Sequence, residues 1–275
     1  MERYLAFIHV TAECKPFAHW YEQESDQQFG EQQTFLWWML KRLQGASHAI
    51  EPVVLTSEDD SNAALLAWCE SHNVRTAFVE DIDPLTSIWE NILHLEKNET
   101  SVDLTSSLLV SHVLWLTGEC VLIDPNFIDR CIELAVHEAL DFTAVINPND
   151  LMAQYYPQQF EVFSRAALKS AWRDANTIHD RKGVGTYIIR RIERFSRSFL
   201  ATYVEPGSDD AQQLGLELNY RERSYRLQSE ADVSVVQGII DQQLQLQPLM
   251  SHLEIMQWLS EHDAFMQKGQ VLASS

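Results

Sequence analysis

Between Tyr4 and Ile146 short apolar runs alternate with longer helix-patterned stretches, and this alternation restricts the fold more than any other feature. Tyr4-Leu-Ala-Phe-Ile-His-Val10 is nearly continuous in apolar residues, as a strand covered on both faces must be. Pro52–Thr56, Val74–Val79, Leu108–Leu116 and Phe142–Ile146 repeat the pattern. Between them the spacing predicts helices over Gln32–Leu43, Asn62–His72, Pro84 to Lys97 and Pro125 to Ala139, the last with Asp124 as its N-cap. Strand followed by helix, repeated in this way, implies an α/β fold: three layers, with a Rossmann-like, mostly parallel sheet between helices.

After Pro148 the regularity weakens. A strand is expected at Gln159–Phe163, a helix at Ser164–Ala175 and a helix over Arg181–Phe195, which with Arg197 holds the densest basic run, Arg190, Arg191 and Arg194. Leu214–Tyr220 and Tyr225–Leu227 read as short strands, and Glu230–Leu246 and Pro248–Gln267 as closing helices. No Gly-, Ser- or Pro-rich linker divides the 275 residues. The expected organisation is an α/β domain over 1–229, with C-terminal helices at 230–275 packed on it or at a dimer face. Leu244, Leu246, Leu249, Leu253, Met256, Trp258 and Leu259 supply that face, or else close the core of the monomer.

Charge narrows the function. Twenty Lys and Arg stand against 40 Asp and Glu, a formal charge of −20, which repels nucleic-acid polymers and anionic membranes. A small anion is still admissible, since a few local cations suffice to hold one. The run Leu108–Ile123 is interrupted by Ser111, His112, Gly118 and Glu119 and is too polar and short to span a membrane. The four cysteines, Cys14, Cys69, Cys120 and Cys131, include no CxxC pair, and Met1–Tyr4 begins no signal peptide. A reducing cytoplasmic location is expected.

Ligands of open α/β sheets sit beyond the C-terminal strand ends. The turn Thr117-Gly-Glu-Cys-Val-Leu-Ile-Asp-Pro125 lies at such an end, and Glu119 is the residue there able to ligate a divalent metal. The competing reading makes Gly118 a tight turn and Asp124 a helix cap. The loop after the first strand, Thr11–Phe17, has no glycine and the single cation Lys15, so it is a poor phosphate cradle. Neither a Walker loop, a GxGxxG fingerprint, a Gly-x-Ser-x-Gly elbow nor a zinc-ligand spacing occurs. The arginines at 190–197 either meet an anion or form a solvated face that offsets the acidic surface.

These residues together resemble the cytidylyltransferases of the acylneuraminate and KDO type, most closely the branch named for spore-coat polysaccharide biosynthesis. Leu116–Pro125 with Ile128-Asp129 is similar to that branch's Thr-Gly-Asp-Cys-Pro-Leu-Ile-Asp-Pro segment. Phe160–Ser164 with Ala167-Leu168 and Ala171-Trp172 resembles its Glu-Val-Phe-Ser strand and following helix. Arg181, Val184, Tyr187 and Ile188 match its Arg-Glu-His-Val-Thr-Pro-Tyr-Ile segment, and Val54–Ser57 its strand-end Ala-Thr-Ser. The resemblance implies a sheet of the nucleotide-diphospho-sugar transferase kind, often a homodimer, with CTP, an acidic sugar and Mg²⁺ as reactants and cofactor. On that reading Glu119 holds Mg²⁺, Lys15 the phosphates, Thr56 and Ser57 the base, Thr117 and Gly118 the nucleotide, and Arg181 the sugar acid.

The departures fall on charged positions. The basic first loop is reduced to Lys15-Pro16, and the metal-binding Asp after Thr-Gly is Glu119. The second acidic ligand aligns with Gln228, the Asp before Glu-Val with Gln159, and the His of Arg-Glu-His with Gly183. Two arginines are replaced by Trp115 and Ser87. Two functions are therefore expected. One is a binding or regulatory protein of nucleotide-sugar or surface-polysaccharide metabolism, with reduced or no catalysis and a homodimer or protein partner. The other is an active Mg²⁺-dependent CTP:acidic-sugar cytidylyltransferase with an altered site. A glycosyltransferase on the same sheet is a weaker third, because it needs a second acidic ligand close to the first.

Overall fold

The computed structural model describes residues 2–10, 34–80, 82–100, 109–146, 159–201, 225–227, 229–259 and 261–262. Seven strands form one sheet: β1 (Tyr4–His9), β2 (Ile50–Thr56), β3 (Arg75–Phe78), β4 (His112–Thr117), β5 (Phe142–Ile146), β6 (Phe160–Ser164) and β7 (Arg197–Ala201). Their order is β3-β2-β1-β4-β6-β5-β7. β1 pairs in parallel with β2 and β4, and β5 with β7, while β6 runs antiparallel between β4 and β5. The expected α/β architecture with a mostly parallel sheet is therefore present, with one reversed strand.

The helices are α1 (Phe35–Leu43), α2 (Ala63–Ser71), α3 (Pro84–Thr100), α4 (Pro125–His137), α5 (Arg165–Asp174), α6 (Ile178–Lys182), α7 (Thr186–Arg190), α8 (Glu230–Ile239) and α9 (252–259). Side-chain caps set several of their starts. Thr34 Oγ1 accepts from Trp37 N, Asp124 from Asn126 N, Ser164 from Ala167 N and Ser229 from Asp232 N. Asp124 followed by Pro125 is the N-cap expected from sequence.

Alternation along β1 makes two cores. Tyr4, Ala6 and Ile8 face one with α1, α2, α4 and the C-terminal helices, and Leu5 and Phe7 face the other with α3, α5 and α7. Leu244, Met256, Trp258 and Leu259 are buried in the first core, with Leu253 packed against it, whereas Leu246 and Leu249 are exposed.

Two expected elements differ. Arg181–Phe195 is not one helix: it breaks into α6 and α7 around Gly183-Val-Gly185, turns at 192–194 and enters β7, a strand the sequence pattern concealed. A Cβ at Gly185 would lie 2.9 Å from Glu161 Oε1, so a side chain here would have to displace the Glu161 carboxylate. Tyr225–Leu227 is a bend rather than a strand. The expected strand at 214–220 lies outside the described residues. Of the basic run, Arg190 lies 3.6 Å from Asp180, Arg191 stacks on Tyr187, Arg194 bonds Tyr187 Oη and Asp174, and Arg197 donates to Ile189 O. These guanidiniums serve local packing, in agreement with the solvated-face reading.

Candidate functional site

β4 ends in the turn on which the sequence analysis centred. Gly118 N donates to His9 O at 2.9 Å and Cys120 N to Thr117 O at 3.0 Å, so both amides are committed to closing the turn. This directs Glu119 inward, where it is about nine-tenths buried. A buried carboxylate needs a counter-charge, and it comes from a residue 107 positions away: Arg226 Nε donates to Glu119 Oε2 at 2.7 Å, and Nη2 donates to the same oxygen. Arg226 Nη1 donates to Gln159 Oε1, and Leu227 N donates to Glu119 O at 3.0 Å. The dipeptide 226–227 thus closes on both the side chain and the main chain of Glu119.

These residues do not fit Mg²⁺. The one carboxylate at the turn is already neutralised by a guanidinium, Gln159 is neutral, and Asp124 is spent capping α4 and accepting from His252 N at 2.7 Å. Among the described residues no group of three His, Cys, Asp or Glu could hold a metal ion. Gln228 lies outside the described residues.

The other expected site residues are scattered. Lys15 lies outside the described residues. Thr56 has no exposed surface, and its Oγ1 is buried with no hydrogen-bond partner among the described residues, so it cannot meet a base as the resemblance implied. Ser57 accepts from Asn62 Nδ2 and lines a separate cavity of about 690 Å³ with Glu58, Glu80, Glu90 and His94. Arg181 is a clamp rather than an open anion site. Its guanidinium donates to Asp83 Oδ2 at 2.9 Å, Thr86 Oγ1 at 2.9 Å, Trp172 O at 3.0 Å and Ala175 O at 3.1 Å, tying α6 to α3 and α5.

Thr117 does line a cavity, of about 190 Å³, between the end of β4, the start of β6 and the α6–α7 turn. Trp115, Gln159, Glu161, Gly183, Gly185, Thr186 and Ile189 share it. Glu161 is the register partner of Trp115 across the β4–β6 pair, so the two side chains project from the same face. Desolvation pushes the Glu161 carboxyl up to about 7. The sequence analysis did not single out Arg226 or Glu161. An arginine one residue before the segment aligned with an acidic ligand was the available signal for the first. For the second it was a charged residue inside an otherwise apolar strand.

The raised carboxyl sets a pH dependence. The unfolded chain releases this proton near 4.5 and the folded chain near 7. Between those values the native state binds the extra proton, so stability falls as pH rises through the window, by up to about 1.4 kcal/mol per pH unit, and levels off above it. Urea melts of the wild type and Glu161→Gln at pH 5 and pH 8 check this. The variant is expected to lose that part of the slope.

A solved structure of a cytidylyltransferase from Leptospira borgpetersenii serovar Hardjo-bovis superposes with a TM-score of 0.72 at 14% identity, covering 97% of this chain and 98% of that one. The chain has the fold of a cytidylyltransferase. A 4-diphosphocytidyl-2C-methyl-D-erythritol synthase superposes less closely, with a TM-score of 0.50 at 12% identity over 88% of this chain and 100% of the other. No family model and no curated protein matches the sequence. On this cytidylyltransferase fold, among the described residues, no helix is long and apolar enough to cross a membrane.

Proposed function

We propose that the chain is a cytidylyltransferase-like protein of nucleotide-sugar or surface-polysaccharide metabolism that binds or regulates without transferring a nucleotidyl group. The observation that carries this reading is the Glu119–Arg226 pair, which neutralises the carboxylate that the family resemblance assigns to Mg²⁺. Nucleotidyl transfer depends on charge neutralisation around the phosphates, and removing one such group costs a few kcal/mol of transition-state stabilisation. Here Glu119 is occupied, Gly118 N is bonded to His9 O at the end of β1, and Arg181 is committed to α3 and α5. A nucleotide or nucleotide-sugar remains the expected ligand class, with a homodimer or a protein partner for the exposed Leu246 and Leu249. The buried thiols of Cys69, Cys120 and Cys131, none in a disulfide, suit a reducing cytoplasm.

Incubation with CTP, Mg²⁺ and a panel of acidic sugars is expected to release no pyrophosphate above background. In calorimetry, any heat of CTP binding is expected to be the same with and without Mg²⁺. Tight Mg²⁺-dependent binding of CTP that disappears in Glu119→Ala would overturn the proposal.

A further inference from the structure

The cavity between β4, β6 and the α6–α7 turn differs in its chemistry from a site for a sugar acid. Its volume, about 190 Å³, lies below the ~300–1,000 Å³ of drug-sized pockets and suits a single-ring ligand. Glu161 is the one charged residue among its described lining residues. Its carboxylate makes no hydrogen bond or ion pair with any described residue, and Gly185 leaves room for it by having no Cβ. The two nearby guanidiniums that an acidic ligand would need are taken: Arg226 by Glu119 and Gln159, Arg181 by Asp83, Thr86 and two carbonyls.

We propose that this cavity binds a small amino sugar or related amine-bearing polyol and rejects sugar acids. The inference rests on the reading of the chain as a sugar-related binding protein and names the ligand class of that site. An ammonium or hydroxyl donor meets the Glu161 carboxylate, the Thr117 and Thr186 hydroxyls offer both donor and acceptor, and Trp115 supplies an apolar wall for the ring. A ligand carboxylate placed there meets a second carboxylate with no cation among the described lining residues, a like-charge contact that disfavours it.

The test compares glucosamine, glucose and glucuronate, which share a ring, the first and last each departing from glucose at one carbon, by calorimetry on the full chain at about pH 7.5, above the value of about 7 to which burial raises the Glu161 carboxyl. Glucosamine is expected to bind at least about ten-fold tighter than glucuronate, with glucose between them. Glu161→Gln, which keeps the shape and removes the charge, is expected to bring the amine and the acid to within about three-fold. Equal or tighter binding of glucuronate, or no binding of any of the three at millimolar concentration, overturns the proposal. So does a Glu161→Gln protein that folds and keeps the preference. The three-sugar comparison on the unaltered chain decides the matter even if the variant does not fold. Pyrophosphate release with CTP is scored on the same samples. A failed sugar preference leaves the non-catalytic reading standing, and turnover overturns that reading without altering the measured preference.

Discussion

Replacing Arg42 with Met is expected to destabilise the protein by about 3–5 kcal/mol, the scale at which removing one member of a buried charged network acts. Arg42 sits in the last turn of α1 with no exposed surface. Its Nε donates to Ile123 O at 2.7 Å, Nη1 to Pro248 O at 2.8 Å and Nη2 to Met250 O at 2.7 Å. One planar group thereby joins α1, the segment after the β4 turn and the chain leading into α9. Met fills similar space but leaves three carbonyls without donors, each costing about 1–3 kcal/mol before relaxation. Urea denaturation should show a lowered midpoint with an unchanged slope. Arg42→Lys should recover little, because one ammonium cannot span three acceptors set around a guanidinium plane. An unfolding free energy within about 1 kcal/mol of wild type would show that the network is dispensable.

The second large effect is expected at Arg226. Arg226→Met removes the counter-charge of a carboxylate that is about nine-tenths buried, and breaking such a pair costs about 3–5 kcal/mol. Adding Glu119→Gln to that variant should restore most of the loss, since no buried charge is then left alone, and the double-mutant cycle should report coupling of about 3 kcal/mol or more. The single variant has a further signature. With the guanidinium gone, Glu119 is available to a divalent cation, so millimolar Mg²⁺ or Mn²⁺ should raise the melting temperature of Arg226→Met while leaving the wild type unchanged. An equal response in both proteins would mean that a metal binds the native turn, against the reading of the site given above.

The strands of the parallel core were legible because burial on both faces writes itself as a nearly continuous apolar run, as in Tyr4–His9 and Phe142–Ile146. The cap at Asp124 and the turn at Thr117-Gly118 were legible because local backbone chemistry selects those residues. β7 was not. Arg197-Ser-Phe-Leu-Ala201 follows an arginine-rich stretch whose charges mask its strand character, and of the two glycines that divide α6 from α7, Gly185 lies against the Glu161 carboxylate and Gly183 against the Thr186 hydroxyl, contacts that no sequence spacing announces. The site divided in the same way. Glu119 could be found from its neighbours in sequence. Its partner could not, because no periodicity connects positions 119 and 226, and Arg181 looked like an anion contact until its four acceptors were seen.

The dipeptide 226–227 has one more consequence. Leu227 bonds the Glu119 carbonyl, and the preceding Tyr225 Oη is hydrogen-bonded to the buried ring of His252. Deleting a single cation therefore unloads the carboxylate but does not withdraw the main chain lying across it. Opening this turn fully would mean re-routing a polypeptide crossing that is anchored at its far end by α9, a task for loop redesign rather than for point substitution.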